Sequence, residues 1–322
     1  MMPAPLPTAA PVRAFLDWPV YTDPSRWAAE VALIGVQHSE PYPGDPRPND
    51  QARAPDAIRL ASYQISTGRD HWDFDLGTEL APVLPARCID CGNVAWVEGS
   101  YDEYFAQVAE RIRHLWRGGA QVLVLGGDHG VTIPVLEALA VLKEPVHIFH
   151  VDAHLDWRVE VGGVRRGYSS PLRWASTSSC VSGMTQIGLR ATGSARRSEV
   201  DAARSYGSRI FSAEQFHADG AGPVLATIPE TANVYVTVDA DGLDPTEMPG
   251  VMAPAPGGVR YGELAPLIRE IARRHRIVGM DVVEVAPSFD FANGITCITA
   301  GRLLLNAVGA SWGTGGSYRR GR

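Results

Sequence analysis

The chain has 322 residues, 45% hydrophobic and 20% charged, with a formal net charge of −7. These values allow a large buried core, and the acidic balance disfavours nucleic acid or an anionic membrane surface as the main partner; no apolar run approaches the roughly 18 residues of a bilayer span. The opening MMPAPLPTAAPVRAF has no basic segment leading into a long apolar one, and 4 cysteines do not make a disulfide scaffold, so a reducing cytoplasm is the expected compartment.

Residues 1–30 read as a proline-rich arm carrying Pro3, Pro5, Pro7, Pro11, Pro19 and Pro24. VALIGV at 31–36 is short and apolar and predicts a buried strand. Residues 42–56 form a polar, proline-rich loop, after which Pro55 is suited to the first turn of a helix over 56–65. Tyr101, Phe105, Val108, Ile112 and Leu115 recur at helical spacing, so residues 101–116 predict an amphipathic helix ended by Gly118-Gly119. Beyond it, strands are predicted at 121–125, 146–151, 185–189, 233–238 and 277–285, and helices at 133–142, 198–206, 261–274 and 299–308. Apolar strands without alternation, separated by helices, imply a parallel sheet buried on both faces. The expected organisation is one three-layer α/β/α domain over 31–312, with a flexible tail at 313–322.

Three of these strands end in polar clusters: Gly126-Gly127-Asp128-His129-Gly130, Asp152-Ala153-His154-Leu155-Asp156, and Asp239-Ala240-Asp241-Gly242-Leu243-Asp244-Pro245. In an extended segment, residues two apart share a face, so Asp152, His154 and Asp156 converge, as do Asp239 and Asp241. Buried bare carboxylates repel one another unless protonated or paired. Four carboxylates with two neutral imidazoles carry about −4, which two divalent cations neutralise, and this donor set suits Mn²⁺, Ni²⁺, Fe²⁺ or Zn²⁺. One such cluster alone would read as a loop cap or a tight turn; three, each directly after an apolar strand, imply a binuclear metal site.

GGDHG, DAHLD and DADGLDP resemble the three metal motifs of the ureohydrolases, the family of arginase, agmatinase, guanidinobutyrase and formimidoylglutamase. GMDVVEVAP at 279–287 and APDAIR at 54–59 extend the likeness over about 31–309, closest in detail to the agmatinase branch. The resemblance implies a mainly parallel sheet of about eight strands, trimers or hexamers, and two metal ions, usually Mn²⁺ and in some members Ni²⁺. It assigns His129, Asp152, Asp156 and Asp239 to one ion and Asp152, His154, Asp239 and Asp241 to the other. The implied activity is hydrolysis of a guanidino C–N bond to urea and an amine. Asp156 is expected to help move the nucleophile's proton, and Glu284 to pair with the guanidinium through two hydrogen bonds.

Three departures from the family pattern bear on the substrate. Tyr168, in Gly167-Tyr168-Ser169-Ser170, stands about where many relatives carry a proton-shuttling histidine. Val251-Met252-Ala253 replaces a threonine-rich stretch, which makes Met252 a candidate for an apolar substrate wall. Trp157 and Arg158 follow the metal motif where arginases recognise an amino acid. The expected substrates are therefore agmatine or a guanidino acid, with alkylguanidines and biguanides open and arginine disfavoured. Alternatives are a formimidoylglutamase-like hydrolase, with Arg158 meeting a carboxylate, and a degenerate subunit supporting an active paralogue in a hetero-oligomer. A deacetylase-type enzyme with one zinc is disfavoured because His129, Asp156 and Asp241 are retained. His147 and His150, inside an apolar strand, read as hydrogen-bonded core histidines; Trp72, Trp96 and Trp116 read as packing. Cys88 and Cys91 have no second CxxC partner, and there is no GxGxxG or P-loop.

Overall fold

The computed structural model describes residues 5–46, 49–65, 68–95, 101–192 and 195–318. Trp96 lies outside them. Among these residues the strands are β1 (Val31–Val36), β2 (Trp72–Asp73), β3 (Thr78–Glu79), β4 (Cys88–Val94), β5 (Gln121–Leu125), β6 (Val146–Val151), β7 (Val181–Leu189), β8 (Arg209–Ser212), β9 (Asn233–Asp239) and β10 (Arg276–Val283). The helices are α1 (Ala54–Ser62), α2 (Tyr101–Arg117), α3 (Thr132–Ala138), α4 (Pro171–Ala175), α5 (Arg197–Tyr206), α6 (Ala213–Asp219), α7 (Ala221–Leu225), α8 (Tyr261–Arg274) and α9 (Ile295–Trp312). Eight strands pair in parallel in the order β4-β1-β5-β10-β9-β6-β7-β8, and β2 and β3 form a separate antiparallel ribbon.

Successive strand residues feed opposite faces of the sheet. Val31, Leu33, Leu123 and Leu125 pack in one core with residues of α1, α8 and α9, while Ala32, Ile34, Val122 and Val124 pack in the other with residues of α2 and α3. This double burial explains the continuous apolar runs and produces the three expected layers. Helix α9 is apolar nearly all round, because it is buried against both α1 and α8.

β4 and β8 are not among the strands expected from sequence. β4 reads CIDCGNV, and its Asp90 and Asn93 disguise a fully buried strand. Both are satisfied by Arg59, the arginine of the APDAIR segment. Its guanidinium donates to the two Asp90 oxygens at 2.8 and 2.9 Å and to Asn93 Oδ1 at 2.6 Å, and neither Arg59 nor Asp90 has any exposed side-chain surface. Removing either partner would leave a buried charge uncompensated.

The described part of the arm covers the β4 edge. Ala9 bridges to Asn93, Val20 bridges to Asp90, and Phe15 enters the core. Covering an edge in this way removes a template for aberrant pairing. Residues 313–318, expected as tail, lie against the body: the Tyr318 ring stacks on Trp312 at 4.6 Å, and its hydroxyl donates to the Ile277 carbonyl. Trp116 packs in the core as expected, whereas Trp72 is 56% exposed on the ribbon. Among the described residues no helix is long and apolar enough to cross a membrane.

Candidate metal centre

The polar motifs follow four strands that are neighbours in the middle of the sheet. β5 runs into residues 126–130, β10 into Glu284, β9 into Asp239–Asp241 and β6 into residues 152–156. All lie at carboxyl ends, where open parallel sheets bind ligands. Glycines let the loops close on one another: a Cβ on Gly127 would stand 1.6 Å from the His38 carbonyl oxygen, and one on Gly242 2.7 Å from the Asp152 nitrogen. Asp156 and Glu284 take left-handed φ values of 53° and 61°. Such backbone costs a non-glycine residue about 1–3 kcal/mol and gathers at functional sites.

The donor atoms converge in two groups. His129 Nδ1 is 3.3 Å from Asp152 Oδ2, 2.9 Å from Asp156 Oδ2 and 3.2 Å from Asp239 Oδ2. His154 Nδ1 is 3.3 Å from Asp152 Oδ1 and 3.2 Å from Asp241 Oδ2. Asp152 therefore turns one oxygen toward each histidine, and Asp239 Oδ1 accepts the Asp241 N–H at 2.8 Å. His129 Nδ1 and Asp156 Oδ2 are buried and make no hydrogen bond with each other or with any neighbour. His129 Nε2 lies 3.0 Å from the Thr237 hydroxyl; donating its proton there leaves a lone pair on Nδ1 facing the three carboxylates. Converging lone pairs that do not bond one another are what a cation needs, so this donor set fits divalent metal.

Electrostatics point the same way. Burial pushes the Asp239 carboxyl well above the usual range, with Asp241 and Asp152 adding to it, and burial likewise raises Asp156 and Asp241. Burial also opposes charge on Asp152, but the adjoining imidazoles of His129 and His150 hold it well below that range. Against burial, the flanking carboxylates lift His129 and carry His154 up to about 12. The cluster attracts positive charge strongly, whether proton or metal ion.

Glu284 stands beside this cluster. Its Oε1 accepts the His129 backbone N–H at 2.7 Å and its Oε2 the Gln51 side-chain amide at 2.8 Å. Burial, followed by the charge of Asp128, pushes its carboxyl up to about 8. A cation placed against it would reverse that shift.

A cavity of about 340 Å³ connects these groups, lined by His154, Asp156, Asp239, Asp241 and Glu284 together with Tyr42, Arg158, Tyr168 and Met252. The Tyr168 and Tyr42 ring centroids are 4.1 Å apart, and the Tyr42 hydroxyl accepts the Ser169 N–H. Trp157, expected to touch substrate, does not line the cavity. It is 2% exposed and packs in the core beside Tyr206 of α5, because the left-handed turn at Asp156 sends the next side chain inward. Arg158 does line the cavity and donates to Glu199 Oε1 at 3.2 Å.

Several residues here were not assigned to the site from sequence. Thr237 orients His129. His150, read as a core histidine, accepts from Gln186 on Nδ1 at 3.0 Å and so directs its other nitrogen's proton to Asp152 Oδ2 at 2.9 Å. It lies among the donors around His129, but both of its ring nitrogens are engaged, so it positions Asp152. Asp281, inside β10, accepts from Thr132 and Tyr235 at 2.9 and 2.7 Å. The available signal was a polar residue interrupting an apolar strand. His147 behaves as expected, bonded to the Thr185 hydroxyl at 2.8 Å.

Arg190 locks the loop after β9. Its guanidinium donates to the carbonyls of Asp241 at 2.6 Å, Gly242 and Leu243 at 3.1 Å, and Ala255 at 2.7 Å. Replacing Arg190 with methionine should strand these acceptors and destabilise the fold by about 3 kcal/mol. Thermal and urea melts of the metal-free protein would register the loss.

Comparison with known proteins agrees with this geometry. The sequence profile of the arginase family matches residues 29–309. The chain is 31% identical over 303 residues to proclavaminate amidinohydrolase of Streptomyces clavuligerus, covering 91% of each. The solved structure of that enzyme aligns with a TM-score of 0.76 over 94% of this chain and 97% of its own. The chain is also 34% identical over 262 residues to N(1)-aminopropylagmatine ureohydrolase of Thermus thermophilus, covering 80% of this chain and 83% of the relative. It is 33% identical over 272 residues to an agmatinase of Chromobacterium violaceum, covering 79% and 76%.

Proposed function

The chain belongs to the arginase family, a family of hydrolases acting on amidine and guanidino C–N bonds, and from that premise we propose a binuclear-metal amidinohydrolase that cleaves a guanidino compound to urea and an amine. The observation that carries this reading is Asp152 with one oxygen toward each of His129 and His154, at a cavity that also contains Glu284. His129, Asp152, Asp156 and Asp239 would hold one ion, and Asp152, His154, Asp239 and Asp241 the other. Mn²⁺ is the first expectation for both ions and Ni²⁺ the second. When bound, the ions supply a hydroxide nucleophile near neutral pH by lowering the pKa of water.

The protein's own groups do the rest. Glu284, held by the His129 N–H and Gln51, uses its remaining lone pairs to bind and orient the guanidinium. Asp156 takes up the proton that the nucleophile loses. Tyr168, on the cavity wall, gives a proton to the departing amine and is reprotonated by the proton that Asp156 took up. Water adds across the C–N bond, giving urea and an ammonium product. The working assembly is a cytoplasmic homotrimer or homohexamer, or a hetero-oligomer with a paralogue.

Tyr42, Tyr168 and Met252 make part of the wall aromatic or apolar. A zwitterionic amino-acid tail would be left poorly paired there, at a cost of about 1–3 kcal/mol per unmet group. Among arginine, agmatine, 4-guanidinobutyrate and small alkylguanidines, arginine should therefore give the lowest kcat/KM by roughly tenfold or more. Urea release across the panel tests this, and arginine as the best substrate would overturn the reading of the wall. A second reading, in which a guanidino acid or a formimidoylglutamate-type substrate offers Arg158 a carboxylate, would require Arg158 to give up Glu199, its partner at 3.2 Å.

A further inference from the structure

We infer that Glu199, a residue of α5, sets the charge of the substrate tail by neutralising Arg158, so that the site takes guanidines with uncharged or cationic tails and rejects carboxylate tails. This rests on the amidinohydrolase reading and goes beyond it by naming the substrate class.

Arg158 is the arginine that lines the cavity among the described residues, and by itself it would recruit a carboxylate. Its Nη1 is 3.2 Å from Glu199 Oε1, with side-chain exposures of 18% and 12%, so the pair is largely shielded from water. Glu199 is itself fixed. It is the third residue of α5, and its other oxygen accepts the Arg196 backbone N–H at 2.5 Å in a capping box. Arg158 is anchored too, its backbone N–H donating to the Ser169 carbonyl at 2.9 Å, next to Tyr168. A carboxylate tail reaching Arg158 would have to share it with an acid already in place, and would meet like charge in a partly dry setting. Asp45, also on the lining, adds negative charge on the same side of the balance. An alkyl or ammonium tail meets the Tyr42 and Tyr168 rings without that conflict.

The test uses the full-length, manganese-loaded protein and two ligands that differ in the charged end, agmatine and 4-guanidinobutyrate. The wild type should prefer agmatine. Glu199→Gln keeps an acceptor for the Arg196 N–H but frees the Arg158 charge, and should shift the kcat/KM ratio toward 4-guanidinobutyrate by about tenfold or more. Arg158→Gln leaves the Glu199 charge unopposed and should shift the ratio the other way. A general loosening of the loop would not move the two variants in opposite directions. Ratios that stay within twofold of wild type in both variants, or that move together, would overturn the inference. If the wild type releases urea from neither compound nor from any other guanidine of the panel, the amidinohydrolase reading fails. Calorimetric affinities for the same two ligands then decide the charge question by the same opposed shifts, and no binding of either ligand to any of the three proteins overturns it.

Discussion

Asp152→Ala is expected to lose most of both metal ions and at least about three orders of magnitude in kcat, because Asp152 alone turns an oxygen toward each histidine. Its loss also removes the acceptor for the His154 backbone N–H at 2.6 Å and for His150 at 2.9 Å, so the loop after β6 loses its internal support. Asp241→Ala should be milder: Asp241 faces His154 and not His129, and a first ion should remain. Elemental analysis of the dialysed variants separates the two cases. Equal metal loss in both variants would mean that the two donor groups fill as one unit; a single zinc retained in Asp241→Ala with unchanged activity would remove the binuclear account.

The second large effect lies at Glu284. Glu284→Gln should leave the metal content intact and lower kcat/KM by roughly two or more orders of magnitude, mostly through a higher KM and a misoriented guanidinium. The charge-assisted pair it would lose is worth about 1.5–3 kcal/mol, and more where water is excluded. The glutamine should still accept from the His129 N–H, but its amide nitrogen would face the Gln51 amide donor, so a compensating Gln51→Glu change should recover part of the loss. Unchanged kcat/KM in Glu284→Gln would assign the residue to the structure of the strand end.

The centre of the molecule was legible because its strands are buried on both faces. A fully apolar run followed at once by Asp and His leaves few alternatives, and the ends of β5, β6, β9 and β10 fall side by side in the sheet order. β4 was not legible, since Asp90 and Asn93 look like loop residues until Arg59 arrives from a helix 31 and 34 positions away in sequence. The cavity wall was only half legible. Met252, Tyr168 and Arg158 were expected there and line it, but Trp157 was assigned by adjacency to Asp156, and it packs in the core beside Tyr206 instead. Gln51 and Tyr42 sit in a polar loop whose path is set by distant contacts, namely Glu284 for Gln51 and Ser169 for Tyr42. Thr237 and His150 were visible as polar residues within apolar strands, yet their partners, His129 for Thr237 and Gln186 for His150, lie 108 and 36 positions away in sequence.

The most direct test of the central claim is a titration of metal-free protein with Mn²⁺, following urea release from agmatine at each addition. The binuclear amidinohydrolase account predicts that activity rises to a plateau at two ions per chain and is abolished by chelation. A plateau at one ion per chain, or no urea from agmatine or any other guanidine of the panel at full metal loading, would contradict it.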